Sequence, residues 1–291
     1  MLLENDKLKI ECCPELGGKI TSFFHKGKGF ELAAQPDKEI EQLPLAEESF
    51  GTYAFGMDDA FPNINAELIY WKGKTYAYPD HGEIWSAKFD VTEQAEKSIF
   101  LRWKSQNMGY CYQKRLCLEN NVLNIRYYIT NEGADELPCL WTWHGLMRYE
   151  EDMEVILPED ITHCRNVLSG SVLGKEGMIY PLENDVYDFG SVPKAESGNM
   201  VKFYAEGPVG CGKCGLHYPS QKITCMMEYD ANVLPYFGFW ITAGGFQGDY
   251  NCAMEPSNGF YDSISIAKEN ERLPLLAAGE RMEFEIKIML I

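Results

Sequence analysis

The sequence is short of basic residues and of helical periodicity. It carries 26 Lys and Arg against 44 Asp and Glu, a net charge of -18 over 291 residues. No block of lysines or arginines offsets that balance, so the surface repels nucleic acid and anionic membranes. A run of 18 apolar residues is missing, which excludes a membrane-spanning helix. The opening MLLENDKLKIECC has no basic region followed by an apolar stretch, so no secretory signal is read there. Ten cysteines in such a chain are most simply free thiols in a reducing cytoplasm, the expected compartment. The adjacent Cys12 and Cys13 do not suggest a disulfide framework. Cys211-Gly212-Lys213-Cys214 has no second CxxC, and His217 cannot complete a four-ligand zinc site alone. It reads as a Gly-rich hairpin with two free thiols, and neither metal nor cofactor is expected. Internal repeats and low-complexity linkers are also lacking, which leaves one domain over residues 1–291.

What is present is alternation. Hydrophobic residues make up 45% and aromatics 13%, enough for a large folded core. Leu8-Ile10-Cys12, Ile84 to Val91, Tyr110 to Leu118 and Val122 to Ile129 alternate with period two and read as strands. Glu119-Asn120-Asn121 is a hairpin turn between two of them. Further strands are expected at Val201–Ala205, Gln221–Tyr229, Phe237–Ala243, Asn251–Glu255 and Met282–Leu290. Ser257–Glu271 holds at most one or two helical turns. Ser169–Gly198, richer in Gly, Ser and Pro, reads as a surface excursion. Many strands about ten residues apart argue for a sandwich or barrel.

Four segments carry residues suited to chemistry, each with a plain structural alternative. In Asp80-His81-Gly82-Glu83-Ile84-Trp85, His81 lies in a loop, where function concentrates, or simply bonds the loop backbone. In Leu140-Trp141-Thr142-Trp143-His144-Gly145, strand alternation puts Trp141 and Trp143 on one face and His144 on the other. If the indoles fill the core, His144 faces a ligand; otherwise it is a buried, satisfied histidine. In Met254-Glu255-Pro256-Ser257, a carboxylate closes an apolar strand, which is costly unless it is paired or used. Glu255 could equally cap the following turn. In Gly56-Met57-Asp58-Asp59-Ala60-Phe61-Pro62, two acids beside an aromatic suit sugar hydroxyls, and also a solvated turn.

Taken in order, these segments resemble the aldose 1-epimerase (galactose mutarotase) family. Leu16-Gly17-Gly18-Lys19 is similar to its N-terminal Gly-Gly/Ala turn, Phe61-Pro62 to its Phe-Pro segment, and His81-Gly82 to its loop histidine. His144 matches the second histidine, Asn184-Asp185-Val186-Tyr187-Asp188-Phe189 the Asp-Phe element, and Glu255-Pro256 the late Glu-Pro. Leu273-Pro274 followed by Ala278-Gly279-Glu280 resembles the close. The resemblance implies an all-β fold, a large antiparallel β-supersandwich with its site on a concave face. It implies a free sugar as the small-molecule partner, His144 as general acid and Glu255 as general base. It also implies sugar binding by His81, and Asp58 and Asp59 are candidates for hydroxyl binding. Exchange of anomers needs a proton taken from O1 and one given to the ring oxygen O5, work for a carboxylate and a histidine without metal.

Two features of the family pattern are absent. The arginine expected after Phe-Pro is replaced by Asn63-Ile64-Asn65-Ala66, and the aspartate expected after the Asp-Phe element has no counterpart in Ser197-Gly198-Asn199-Met200-Val201-Lys202. Three functions therefore compete: an aldose 1-epimerase on an unphosphorylated hexose, a carbohydrate-binding or sensing protein without turnover, and a phosphosugar epimerase. Both histidines and the glutamate favour the first. The missing arginine and aspartate favour the second. The lack of a Lys/Arg cluster beside His81, His144 or Glu255 opposes the third.

Overall fold

The computed structural model describes residues 1–36, 49–170 and 172–291. Its longest hairpin shows how the sequence builds sheet. Tyr110–Glu119 and Val122–Asn131 pair antiparallel, with Tyr112 opposite Ile129, Leu116 opposite Ile125 and Leu118 opposite Leu123. These residues are all buried, while the positions between them stay partly exposed. Alternation of period two thus becomes one dry face and one wet face. Asn120 makes the turn with φ 53°, a left-handed conformation that asparagine tolerates.

Among the described residues, two large antiparallel sheets dominate. One has eight strands, ordered Glu154–Ile156, Lys213–Tyr218, Ile223–Tyr229, Arg281–Leu290, Val122–Asn131, Tyr110–Glu119, Ser98–Lys104, Asp90–Ala95. The other has twelve, and its middle runs Lys19–His25, Met57–Ala60, Thr142–Gly145, Tyr250–Ser257, Tyr236–Ala243, Asn199–Ala205. Their inner faces meet through large rings. The Trp141 ring centre is 4.5 Å from Phe284 and 4.9 Å from Tyr127, both on the eight-stranded sheet. Burial of each such ring or Leu/Ile side chain contributes about 1.5–3 kcal/mol. The architecture is the expected antiparallel sandwich. One short helix, Ile264–Glu269, is capped by Ser263, whose Oγ accepts from the Ile266 N–H at 3.2 Å.

Two local expectations fail. Ile84 to Val91 is not a strand, and pairing begins only at Asp90. Its backbone groups are spoken for elsewhere: Gly17 N–H donates to Ala87 O at 2.7 Å, and Phe89 N–H to Pro14 O at 2.8 Å. Cys211–Cys214 is not a hairpin, because it links Asn199–Ala205 of one sheet to Lys213–Tyr218 of the other. The two cysteines are free thiols, as expected. Among the described residues, no group of three His, Cys, Asp or Glu side chains is placed to hold a metal, and no helix is long and apolar enough to cross a membrane.

Candidate active site

The middle of the twelve-stranded sheet sets the site by register alone. His144 pairs with Asp58, and Trp143 with Asp59, so each pair shares a face. Trp143 and Asp59 turn into the core, and His144 and Asp58 turn outward. One strand further, Glu255 pairs with Gly238 and Ala253 with Trp240; Trp240 in turn pairs with Lys202. Gly238 is needed there: a Cβ would lie 2.8 Å from the Tyr204 ring and 3.1 Å from Glu255 Oε2. Any side chain would push the carboxylate off its place.

The outward side chains form a row of alternating charge. Lys19 Nζ lies 3.0 Å from Asp58 Oδ2, and Asp58 Oδ1 lies 3.7 Å from His144 Nδ1. His144 Nε2 is 3.8 Å from Glu255 Oε1, and Glu255 Oε2 is 3.3 Å from Lys202 Nζ. Lys202 Nζ is 3.0 Å from Asp262 Oδ1, which accepts from the Tyr204 hydroxyl at 2.9 Å. Lys19 also donates to the carbonyls of Tyr53 and Phe55, each at 2.8 Å. The whole row is buried; Glu255 is 0% exposed and His144 6%. The imidazole stands between two carboxylates at distances longer than a hydrogen bond, and neither Glu255 oxygen has a hydrogen-bond partner. Acid–base pairs are often this loose without substrate and tighten on binding.

Burial controls the protons in this row. It pushes the Glu255 carboxyl up to about 7, against the pull of Lys202, and Asp262 adds to the rise. It pushes His144 down to about 4, against Asp58. Burial would also raise Asp58, but the Lys19 ammonium and His144 outweigh it and hold that carboxyl below its usual range. Lys202 loses some basicity to burial, and Asp262 and Glu255 more than restore it. Two ammonium groups and three carboxylates leave the row one negative charge in excess. A single proton on the His144–Glu255 pair makes it neutral.

His81 arrives from a loop. Gly82, at φ +76°, lets that loop lie on Phe61, since a Cβ there would sit 2.0 Å from the Phe61 carbonyl oxygen. His81 Nδ1 meets Asp80 Oδ1 at 2.8 Å, and Asp80 Oδ2 accepts from Ser49 Oγ and the Phe50 N–H, both at 2.9 Å. Burial would raise Asp80, but these partners, His81 foremost, hold it at about 2. The Phe50 ring stacks on His81 at 4.2 Å and meets His144 edge-on at 4.8 Å. Above the row opens a cavity of about 360 Å³. That is within the range of small-ligand sites. His81, His144, Lys202, Asp262, Asn251 and Trp240 help to line it.

Of the residues singled out in the sequence, the structure brings His81, His144, Glu255 and Asp58 together and places Asp59 elsewhere. Asp59 points to the core, where Lys114 Nζ lies 2.8 Å away and the Tyr127 hydroxyl donates at 2.7 Å. The alternation of a four-residue strand forces this, because two consecutive residues cannot face one pocket. Asp58 is 1% exposed and does not line the cavity, and its Oδ1 lies 3.7 Å from His144 Nδ1. Sequence reasoning missed Lys202, Asp262, Trp240, Asn251 and the role of Lys19. Lys202 and Trp240 lie in expected strands, and period two puts each on the outward face, but only the long-range register brings them beside Glu255.

Residues 180–290 match a family described as a domain of unknown function, DUF4432. No curated protein sequence matches the chain. Solved structures do. A galactose mutarotase-like protein from Lactobacillus casei has a TM-score of 0.76 at 17% identity, over 100% of this chain and 99% of its own. A galactose mutarotase related enzyme from Lactobacillus acidophilus gives 0.75 at 15%, over 100% and 97%. An aldose epimerase homologue from C. elegans gives 0.68 at 14%, over 100% and 98%. The fold of this chain is the galactose mutarotase-like β-sandwich.

Proposed function

We propose that the chain is an aldose 1-epimerase that interconverts the α and β anomers of an unphosphorylated aldose. The observation that carries this reading is the buried His144–Glu255 pair, 3.8 Å apart beneath a sugar-sized cavity. Anomer exchange needs two proton transfers at oxygens that share one carbon, and two adjacent acid–base groups fit that need. Glu255 takes the O1 proton and His144 gives a proton to O5. The ring opens to the aldehyde, C1–C2 rotates, and the steps reverse. At rest the one proton of the pair sits on Glu255, since burial raises the carboxyl and lowers the imidazole. The acting form, with the proton on His144, carries the same single proton, so the pH window is common to both. Asp58 orients His144, and His81, held by Asp80, binds the sugar.

Charge supports an unphosphorylated substrate. Among the described lining residues the one Lys or Arg is Lys202, and it is already engaged by Glu255 and Asp262. A phosphate in that cavity would meet Asp80 and Asp262 without a spare cation. The test is a panel of free and phosphorylated aldoses, with exchange at the anomeric proton followed by NMR. Acceleration with a free aldose supports the reading. Tight binding of an aldose with no acceleration would select a sugar-binding protein on the same scaffold.

A further inference from the structure

One part of the buried row has no task in that mechanism. Lys202, Asp262 and Tyr204 stand beyond Glu255, on the side away from His144. Lys202 is 8% exposed and Asp262 6%, and Tyr204 is fully buried. Burying a lysine and two carboxylates together is expensive, and breaking such a set leaves a charge stranded. The sheet gives them no packing reason to be polar: the neighbouring Val167, Tyr236, Phe260 and Tyr261 make an apolar cluster around Tyr204.

We propose that Lys202 is a positioning residue for Glu255, and that Asp262, anchored by Tyr204, sets how much of the lysine's charge the glutamate receives; the inference rests on the acid–base reading of Glu255. The geometry divides one ammonium between two carboxylates, with Asp262 the nearer at 3.0 Å and Glu255 the farther at 3.3 Å. The Tyr204 hydroxyl donates to the same Asp262 oxygen that Lys202 approaches, which fixes the aspartate in that place. Glu255 is thus held at one oxygen, Oε2, and its Oε1 is left for His144 and the reacting hydroxyl.

The charged groups facing Glu255 come from three directions. His144 approaches from Thr142–Gly145, Lys202 from Asn199–Ala205, and Asp262 from the loop before the helix. Tyr204, on the strand that carries Lys202, adds a neutral hydroxyl. Lys202 favours the carboxylate form of Glu255, while Asp262 and the dry surroundings favour the acid form. With Lys202 alone, the glutamate would ionise at low pH and be a weak base. With Asp262 alone, it would stay protonated and be no base at all. The pair holds it between those limits, where one proton can move either way.

The opposing signs make the proposal testable without any substrate. Glutamate labelled with 13C at the carboxyl carbon would be titrated by NMR in the full-length protein, with Glu255→Gln identifying the signal. Lys202→Met should move the Glu255 midpoint up by about 1–3 pH units, the usual effect of one close charge. Asp262→Asn should move it down, and Lys202→Arg should leave it near wild type. A merely structural role would loosen the site in both Lys202→Met and Asp262→Asn and shift the two midpoints the same way. Shifts in the same direction, or no shift in either variant, would overturn the proposal. If Lys202→Met does not fold, Asp262→Asn decides: a lower midpoint supports it, and an equal or higher one overturns it. Opposite shifts in a protein that accelerates exchange of no aldose would leave the charge-setting role standing and sink the epimerase reading instead.

Discussion

Asp58 and Asp59 are neighbours in sequence, alike in chemistry and almost equally buried, at 1% and 2% exposure. Each meets a buried lysine: Asp58 meets Lys19 on its own sheet at 3.0 Å, and Asp59 meets Lys114 on the eight-stranded sheet at 2.8 Å. They differ in face. Asp59 looks inward and ties the two sheets together through Lys114 and Tyr127. Asp58 looks outward and begins the row that ends at Glu255, Lys202 and Asp262. A buried ion pair therefore does not identify a functional site; what matters is whether a loosely held proton acceptor and a cavity lie next to it.

The largest effect that sharpens this comparison belongs to the outward row. Glu255→Gln keeps the shape and removes the base, and should lower kcat for anomer exchange about 10²–10⁴-fold while sparing sugar binding. Exchange NMR together with calorimetry of sugar binding would measure both. A variant with wild-type exchange would remove Glu255 from the mechanism.

The two aspartates should then separate along different axes. Asp59→Asn strands Lys114 in the core and should cost about 3–5 kcal/mol of stability. Its kcat, measured where the variant is folded, should stay close to wild type. Asp58→Asn should cost less stability, because Lys19 keeps the carbonyls of Tyr53 and Phe55 as acceptors. It should lower kcat instead, because His144 loses its orienting partner. Denaturant unfolding of both variants beside their exchange rates checks this. If Asp59→Asn lost rate without stability, the division into faces would fail.

The smallest effect expected is that of metal removal. The reaction asks only for proton transfer, and a chelator should leave the exchange rate unchanged. Loss of activity on chelation, restored by zinc, would overturn the cofactor-free mechanism.

Much of this was legible in the sequence because strands announce themselves by alternation. The hairpin at Tyr110–Asn131 follows from period two, and so does the opposition of Trp143 and His144. The failures have physical causes. Ile84 to Val91 alternates but spends its backbone hydrogen bonds on Pro14 and Gly17, which no local pattern reveals. Asp58 and Asp59 read alike as hydroxyl binders because the sequence pattern predicts no strand at that segment; in the strand Met57–Ala60 they must part. Lys202 and Asp262 are 60 residues apart and meet only through sheet register and the loop after Tyr250–Ser257. Their chemistry is ordinary in sequence and becomes specific only beside Glu255.

The most direct test of the account is the pH dependence of kcat/KM for anomer exchange. The active pair holds one proton. Below about 4 His144 takes a second, so the base is lost. Above about 7 Glu255 gives up the only one, so the acid is lost. A bell with limbs near those values is the expected result, and Glu255→Gln should remove the limb near 7 along with most of the rate. A rate that stays flat from pH 5 through pH 9 would contradict the shared-proton pair.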